Sequence, residues 1–123
     1  MKSPSHWFEP EFRSPGKLAF MLHRLSGLGL VAYLYLHLVL LNKLRQGPQA
    51  WDSFLQLMRS PLVLFLDAIL LFGILIHGLN GLRLVLVGYG LFLRWQRLLF
   101  WLALVLALAL TIWGMLAMRG VAL

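Results

Sequence analysis

Three apolar stretches dominate this 123-residue chain, at about 18–42, 61–87 and 98–118. Each reaches or exceeds the roughly 20 residues that an α-helix needs to cross the hydrocarbon of a bilayer. In lipid the backbone must satisfy its own hydrogen bonds, which a helix does within one segment. The expected fold is therefore an all-α integral membrane protein of three transmembrane helices, forming a single anchor domain over 1–123. Composition agrees, with 61% apolar and 12% charged residues, against roughly 25% charged in soluble domains. Three spans with short loops use the chain almost completely, so no separate soluble domain fits.

The chain contains no cysteine, which excludes a disulfide framework or an iron–sulfur cluster built on its own thiolates. Any redox chemistry must use a borrowed cofactor. The net charge of +7 would suggest nucleic acid in a soluble protein, but here the cations lie at span ends and in loops. Topology and lipid headgroups account for them, and no nucleic-acid partner is expected. The first 20 residues carry Pro4, Pro10 and Pro15 and lack the apolar core of a cleaved signal peptide. They read as mature sequence, with the first span directing insertion.

Residues 1–17 mix Lys2, Arg13 and Lys17 with Trp7, Phe8 and Phe12, as suits an N-terminal arm at headgroup level on the cytoplasmic side. The hydrocarbon part of the first span is placed at 25–42, and Asn42, Lys43 and Arg45 stop it. In the following link Trp51, Phe54, Leu55 and Met58 show the spacing of a short interfacial helix. Pro61 is suited to the first position of the second span, which holds Asp67, His77, Asn80 and Arg83 and reads as the least lipid-like of the three. Gly88, Tyr89 and Gly90 break that span, and Arg94, Trp95 and Arg97 form a basic aromatic hinge before the third. Lys2, Arg13, Lys17, Arg24, Arg83, Arg94 and Arg97 fall on one side, against Lys43, Arg45, Arg59 and Arg119 on the other. This bias puts the N-terminus in the cytoplasm and the C-terminus outside.

His77 is the first candidate for chemistry, because an ionisable group at hydrocarbon depth is costly and a neutral imidazole is a good axial ligand for haem iron. Gly73 and Gly81, one turn to either side, strip bulk from the helix surface so that a flat macrocycle could lie there. The alternative is that the glycines allow close helix packing and His77 bonds a backbone carbonyl. His37 lies near the other end of its span, separated in depth from His77 by roughly 10 to 15 Å at 1.5 Å per residue. One haem could not take both; two haems stacked across the membrane could, or one histidine is structural. Asp67 falls at the depth of His37, either orienting that imidazole, passing protons, or sitting satisfied against a partner helix. His23, Arg24, Ser26 and Gly27 stand where the first helix enters the membrane. There an imidazole and a guanidinium suit haem propionates or a quinone carbonyl, or Arg24 snorkels to headgroups and His23 is interfacial. Arg83 is a propionate partner or a topology determinant. The tyrosines and tryptophans read as packing and interfacial belt residues. No phosphate-binding glycine loop, zinc spacing or nucleophile–base pair is present.

His23-Arg24-Leu25-Ser26-Gly27 and His77-Gly78-Leu79-Asn80-Gly81-Leu82-Arg83 together resemble the cytochrome b membrane-anchor subunit of succinate dehydrogenase, the SdhC type of respiratory complex II. Its signatures are His-Arg-x-Ser/Thr-Gly and His-x-x-x-Gly-x-Arg, and the resemblance covers nearly the whole chain. It implies that His77 is the axial ligand of haem b, that His23 lies near the propionates and that Arg24 belongs to the quinone site with Ser26. Where the family often has a quinone-contacting serine, this chain has Phe20, which fits menaquinone or a shifted site. His37 looks like the extra ligand of two-haem anchors, giving two b haems with metal ligands His77 and His37.

The function so implied is electron transfer from an iron–sulfur subunit to a membrane quinone within the tricarboxylic acid cycle enzyme. The chain has no succinate chemistry of its own. The implied partners are a flavoprotein subunit, an iron–sulfur subunit docking near Lys17, Arg94 and Arg97, and a sister anchor of SdhD type supplying the second axial ligands. The expected location is a bacterial or archaeal cytoplasmic membrane. The alternatives are a haem-free quinone-binding anchor, or a small proton- or ion-conducting subunit using Asp67 and His37.

Overall fold

The computed structural model describes residues 15–122, so the N-terminal arm lies outside the described residues except for its last three positions. Four helices form: α1 (Pro15–Leu41), α2 (Pro48–Met58), α3 (Pro61–Gly88) and α4 (Gln96–Ala122). Among the described residues there is no strand. Short 3-10 turns at Asn42–Gln46 and Leu93–Trp95 lead into α2 and α4. Three helical stretches, Gly16–Gln46, Pro61–Gly88 and Leu93–Gly120, are long and apolar enough to cross a membrane. The least apolar of them is the first, at a mean hydropathy of 1.6 against 2.5 and 2.4. This corrects the expectation that the second span would be least lipid-like: His23, Arg24 and Ser26 fall well inside α1, while the polar residues of α3 are outnumbered by its aliphatic ones.

Local chemistry sets the helix ends. Gly47 takes a φ of 103°, a conformation that costs glycine little, and Pro48 then opens α2 three residues before the expected start. Ser60 caps α3, its hydroxyl oxygen accepting from the Val63 amide at 3.4 Å, and Pro61 takes the first helical position. The end of α3 is a paired closure. The Gly90 amide donates to the Val87 carbonyl and the Leu91 amide to the Leu86 carbonyl, both at 2.9 Å, with Gly90 at a φ of 79°. Phe92 follows in the left-handed region at a φ of 57°, a strained setting for a bulky residue.

α3 lies between α1 and α4, each of which packs chiefly on it. Toward α4 the packing uses small residues, as helices in lipid do. Ala68, Ala103 and Ala107 are buried, as is Phe100, and Gly114 faces the side chain of Leu71. Toward α1 the buried residues are Ala19, Ile76 and Asn80. Most large aliphatic side chains point outward, among them Leu28, Val31, Leu34, Leu38 and Val39 of α1. That surface suits lipid or another membrane helix and would be untenable in water.

Candidate functional site

On α1, His23, Ser26 and Gly27 stand at positions i, i+3 and i+4 and so share one face. On α3, His77, Asn80 and Gly81 do the same. The structure brings these faces together. The rings of His23 and His77 stack with centroids 4.1 Å apart and planes 5° from parallel. Each ring rests over the glycine four residues beyond the other. A Cβ on Gly27 would stand 3.0 Å from Cε1 of His77, and one on Gly81 would stand 3.3 Å from Cε1 of His23. The two motifs are thus reciprocal halves of one helix crossing.

Hydrogen bonds fix the crossing. Nδ1 of His77 lies 3.1 Å from the His23 carbonyl oxygen and 3.2 Å from Oγ of Ser26. The Ser26 hydroxyl donates to the same carbonyl at 3.0 Å. A carbonyl has no proton to give, so this network assigns the ring proton of neutral His77 to Nδ1 and the lone pair to Nε2. Asn80, buried to 1% exposure, donates from Nδ2 to the Ala19 carbonyl at 3.2 Å. Its Oδ1 accepts from Nε of Arg83 at 2.8 Å, which pins the guanidinium to Asn80, itself one turn beyond His77. Arg24 is exposed, with its guanidinium 5.5 Å from the Phe20 ring centroid, a cation–π contact. Nδ1 of His23 is buried and meets no hydrogen-bond partner among the described residues.

Parallel stacking puts the His23 and His77 rings at one level of the helix crossing. One expectation changes here. The surface beside Gly81, expected to be open, is filled by the His23 ring. Gly73 does keep an open surface. With Leu22, Ser26, Gly29 and Ile76 it lines an apolar cleft of about 330 Å³ between α1 and α3, and nothing would meet a Cβ at Gly73 or Gly29 within 4 Å.

His37 lies elsewhere. With Asp67, Tyr33, Trp51, Phe54 and Met58 it lines a cavity of about 410 Å³ beneath α2. The expected proximity of His37 and Asp67 is present as a shared cavity, but the hydrogen-bond partner of His37 is Tyr33, whose hydroxyl lies 3.4 Å from Nδ1. Sequence reasoning had given Tyr33 no role, although Tyr33 and His37 stand four apart on one helix, a spacing that lets side chains meet. It also left Asn80 out of the site. The signal was an amide side chain in the middle of an apolar span, which must find partners inside the protein. Among the described residues, no three His, Cys, Asp or Glu side chains gather as a metal site.

Known proteins are similar to this chain over much of its length. Residues 12–114 match the family described as succinate dehydrogenase/fumarate reductase transmembrane subunit. A succinate dehydrogenase 2 membrane subunit SdhC of Mycobacterium tuberculosis is 32% identical over 89 residues, covering 72% of this chain and 65% of that protein. A succinate dehydrogenase hydrophobic membrane anchor subunit of Halobacterium salinarum is 37% identical over 94 residues, covering 76% of this chain and 72% of that protein. The family match covers both histidine motifs and the first two apolar helices and runs into the third, and the chain is a multi-pass membrane protein belonging to the succinate dehydrogenase/fumarate reductase transmembrane subunit family.

Proposed function

We propose that this chain is the haem b-binding anchor of a succinate:quinone oxidoreductase and passes electrons from an iron–sulfur subunit to a membrane quinone. The observation that carries the reading is the seat of His77. Its Nδ1 is tied to a backbone carbonyl and a hydroxyl, the arrangement that leaves Nε2 as a metal ligand. With no cluster of three donors among the described residues, a single imidazole suits an iron whose other ligands come from a macrocycle and a partner. The open apolar cleft beside Gly73 suits a flat apolar group. Bound haem supplies a one-electron station; this chain supplies its ligand, and Arg83, His23 and Arg24 supply cationic or hydrogen-bonding groups for its propionates.

The same reading assigns His37 to a second haem at the α2 cavity, and Phe20 and Arg24, both exposed on α1, to the headgroup of a quinone, menaquinone in preference to ubiquinone. A sister anchor subunit provides the remaining axial ligands, and flavoprotein and iron–sulfur subunits dock on the cytoplasmic face. The Lys and Arg distribution supports a cytoplasmic N-terminus in a bacterial or archaeal inner membrane. The test is a dithionite-reduced minus oxidised spectrum of the purified complex with pyridine haemochrome quantification. Two b haems per chain are expected, and His77→Ala should remove one of them. One haem would leave His37 to packing, and unchanged haem content in His77→Ala would overturn the assignment.

A further inference from the structure

We infer that Ser26 is a positioning residue for His77 and not a contact of the quinone. Together with the His23 carbonyl it holds the imidazole in the Nδ1-protonated form and aims Nε2 toward its ligand. The inference rests on the reading of His77 as a ligand, but its geometry stands on its own. A serine in a helix often turns its hydroxyl back to a carbonyl of the preceding turn, and Ser26 does so, donating to the His23 carbonyl at 3.0 Å. That bond fixes the rotamer and spends the only proton of the hydroxyl. What Oγ then offers is a lone pair, and the group that meets it is Nδ1 of His77, at 3.2 Å. The ring proton is therefore shared between two acceptors, one neutral carbonyl and one hydroxyl already polarised by donating to that carbonyl.

The surroundings allow the ring little freedom. Gly27 lies under Cε1 at a distance a Cβ would make tight, and the His23 ring covers one face at 4.1 Å. The tautomer is thus left to Ser26 and the carbonyl, and acceptors on Nδ1–H make the opposite nitrogen more electron-rich. A more electron-rich axial ligand favours the oxidised iron. Ser26→Ala should raise the midpoint potential of the haem bound at His77, and Ser26→Thr, which keeps the hydroxyl, should restore it.

The experiment uses the assembled complex in three forms: wild type, Ser26→Ala and Ser26→Thr. Redox titration of the b-haem band is set beside the quinone KM, with Gly120→Ala, at an open position on α4, as a control. A raised potential in the alanine variant, recovered by threonine and with KM unmoved, supports the inference. An unmoved potential with a raised quinone KM overturns it and returns Ser26 to the quinone site. Because haem content itself tests the parent reading, a second measurement does not depend on haem. In 15N-histidine-labelled complex, the His77 signals, identified by their absence in His77→Gln, should show a protonated Nδ1 in the wild type, and its Nδ1–H proton should move upfield in Ser26→Ala, where one of its two acceptors is gone. A wild-type ring protonated on Nε2, or an Nδ1–H signal unaltered in the variant, overturns the inference whether or not haem is bound.

Discussion

His23 and His77 stack face to face at 4.1 Å, each ring seated over the glycine four residues past the other. The contact sets the register of α1 on α3, because sliding one helix by a single turn would unseat both rings together. It also means that the functional candidate and the packing device are the same side chains, so substitutions here separate into those that move a ring and those that remove one.

Gly27→Ala should move the ring. Its Cβ would approach Cε1 of His77 to 3.0 Å, and that imidazole is held by two hydrogen bonds and a stack, so it cannot step aside freely. Overpacking of this kind costs about 1 to 3 kcal/mol. The expected outcome is a lower melting temperature of the detergent-solubilised complex together with reduced haem content. Gly81→Ala, at 3.3 Å from the His23 ring, should show a smaller change in the same direction, and Gly120→Ala on α4, with nothing within 4 Å, should match the wild type.

Asn80→Leu should separate helix registration from ligation. The substitution removes the bond to the Ala19 carbonyl and releases Nε of Arg83, leaving a guanidinium inside a span without its partner. Stranding buried polar groups costs about 1 to 3 kcal/mol each. The variant should melt earlier and retain the His77 haem less firmly in dilution. Asn80→Asp, which keeps an acceptor for Arg83 and loses only the donor to Ala19, should fall between the two. Equal melting of Asn80→Leu and wild type would show that the bridge between α1 and α3 contributes nothing.

The three spans were legible because an apolar run of spanning length has few other outcomes, and α2 was legible from Trp51, Phe54, Leu55 and Met58 alone. The partner of His23 was not. Two adjacent polar residues stand at the head of α1, and Arg24 is exposed with its guanidinium over Phe20 while His23, one residue earlier, turns inward to His77. Neighbours in sequence on a helix face directions about 100° apart, and only the packing partner decides which of them is buried. The reciprocal use of Gly27 and Gly81 was hidden for the same reason: a glycine four residues after a histidine looks like clearance for that histidine, and here each glycine clears the other one.

His37→Ala tests whether the α2 cavity holds a cofactor. His37 is exposed on α1 and, among the described residues, hydrogen-bonds only to Tyr33 within its own helix, so its removal leaves the α1–α3 contact intact and should alter stability little. Haem per chain should fall from two to one, with the spectrum of the haem at His77 unchanged. Tyr33→Phe, which removes only the hydroxyl partner, should keep both haems. An unchanged ratio in His37→Ala would assign that histidine to packing and the cavity beneath α2 to another occupant.

The orientation of the chain is open to direct test because it has no cysteine of its own. Arg94 and Arg45 are both exposed, in the turns before α4 and before α2, and the charge bias puts the first in the cytoplasm and the second outside. Arg94→Cys and Arg45→Cys complexes in intact cells or right-side-out vesicles would be exposed to a membrane-impermeant maleimide, and labelling of this chain read after separation of the subunits. Arg45→Cys should label at once and Arg94→Cys only after the membrane is opened. Each substitution removes one cation from its own side, so the Arg94 variant, which weakens the cytoplasmic excess, is paired with Leu91→Cys in the same loop, which leaves the charges untouched. The reverse labelling order in both cytoplasmic-loop variants would invert the topology and move the His23–His77 pair to the outer half of the membrane, away from any electron donor docked on the cytoplasmic face.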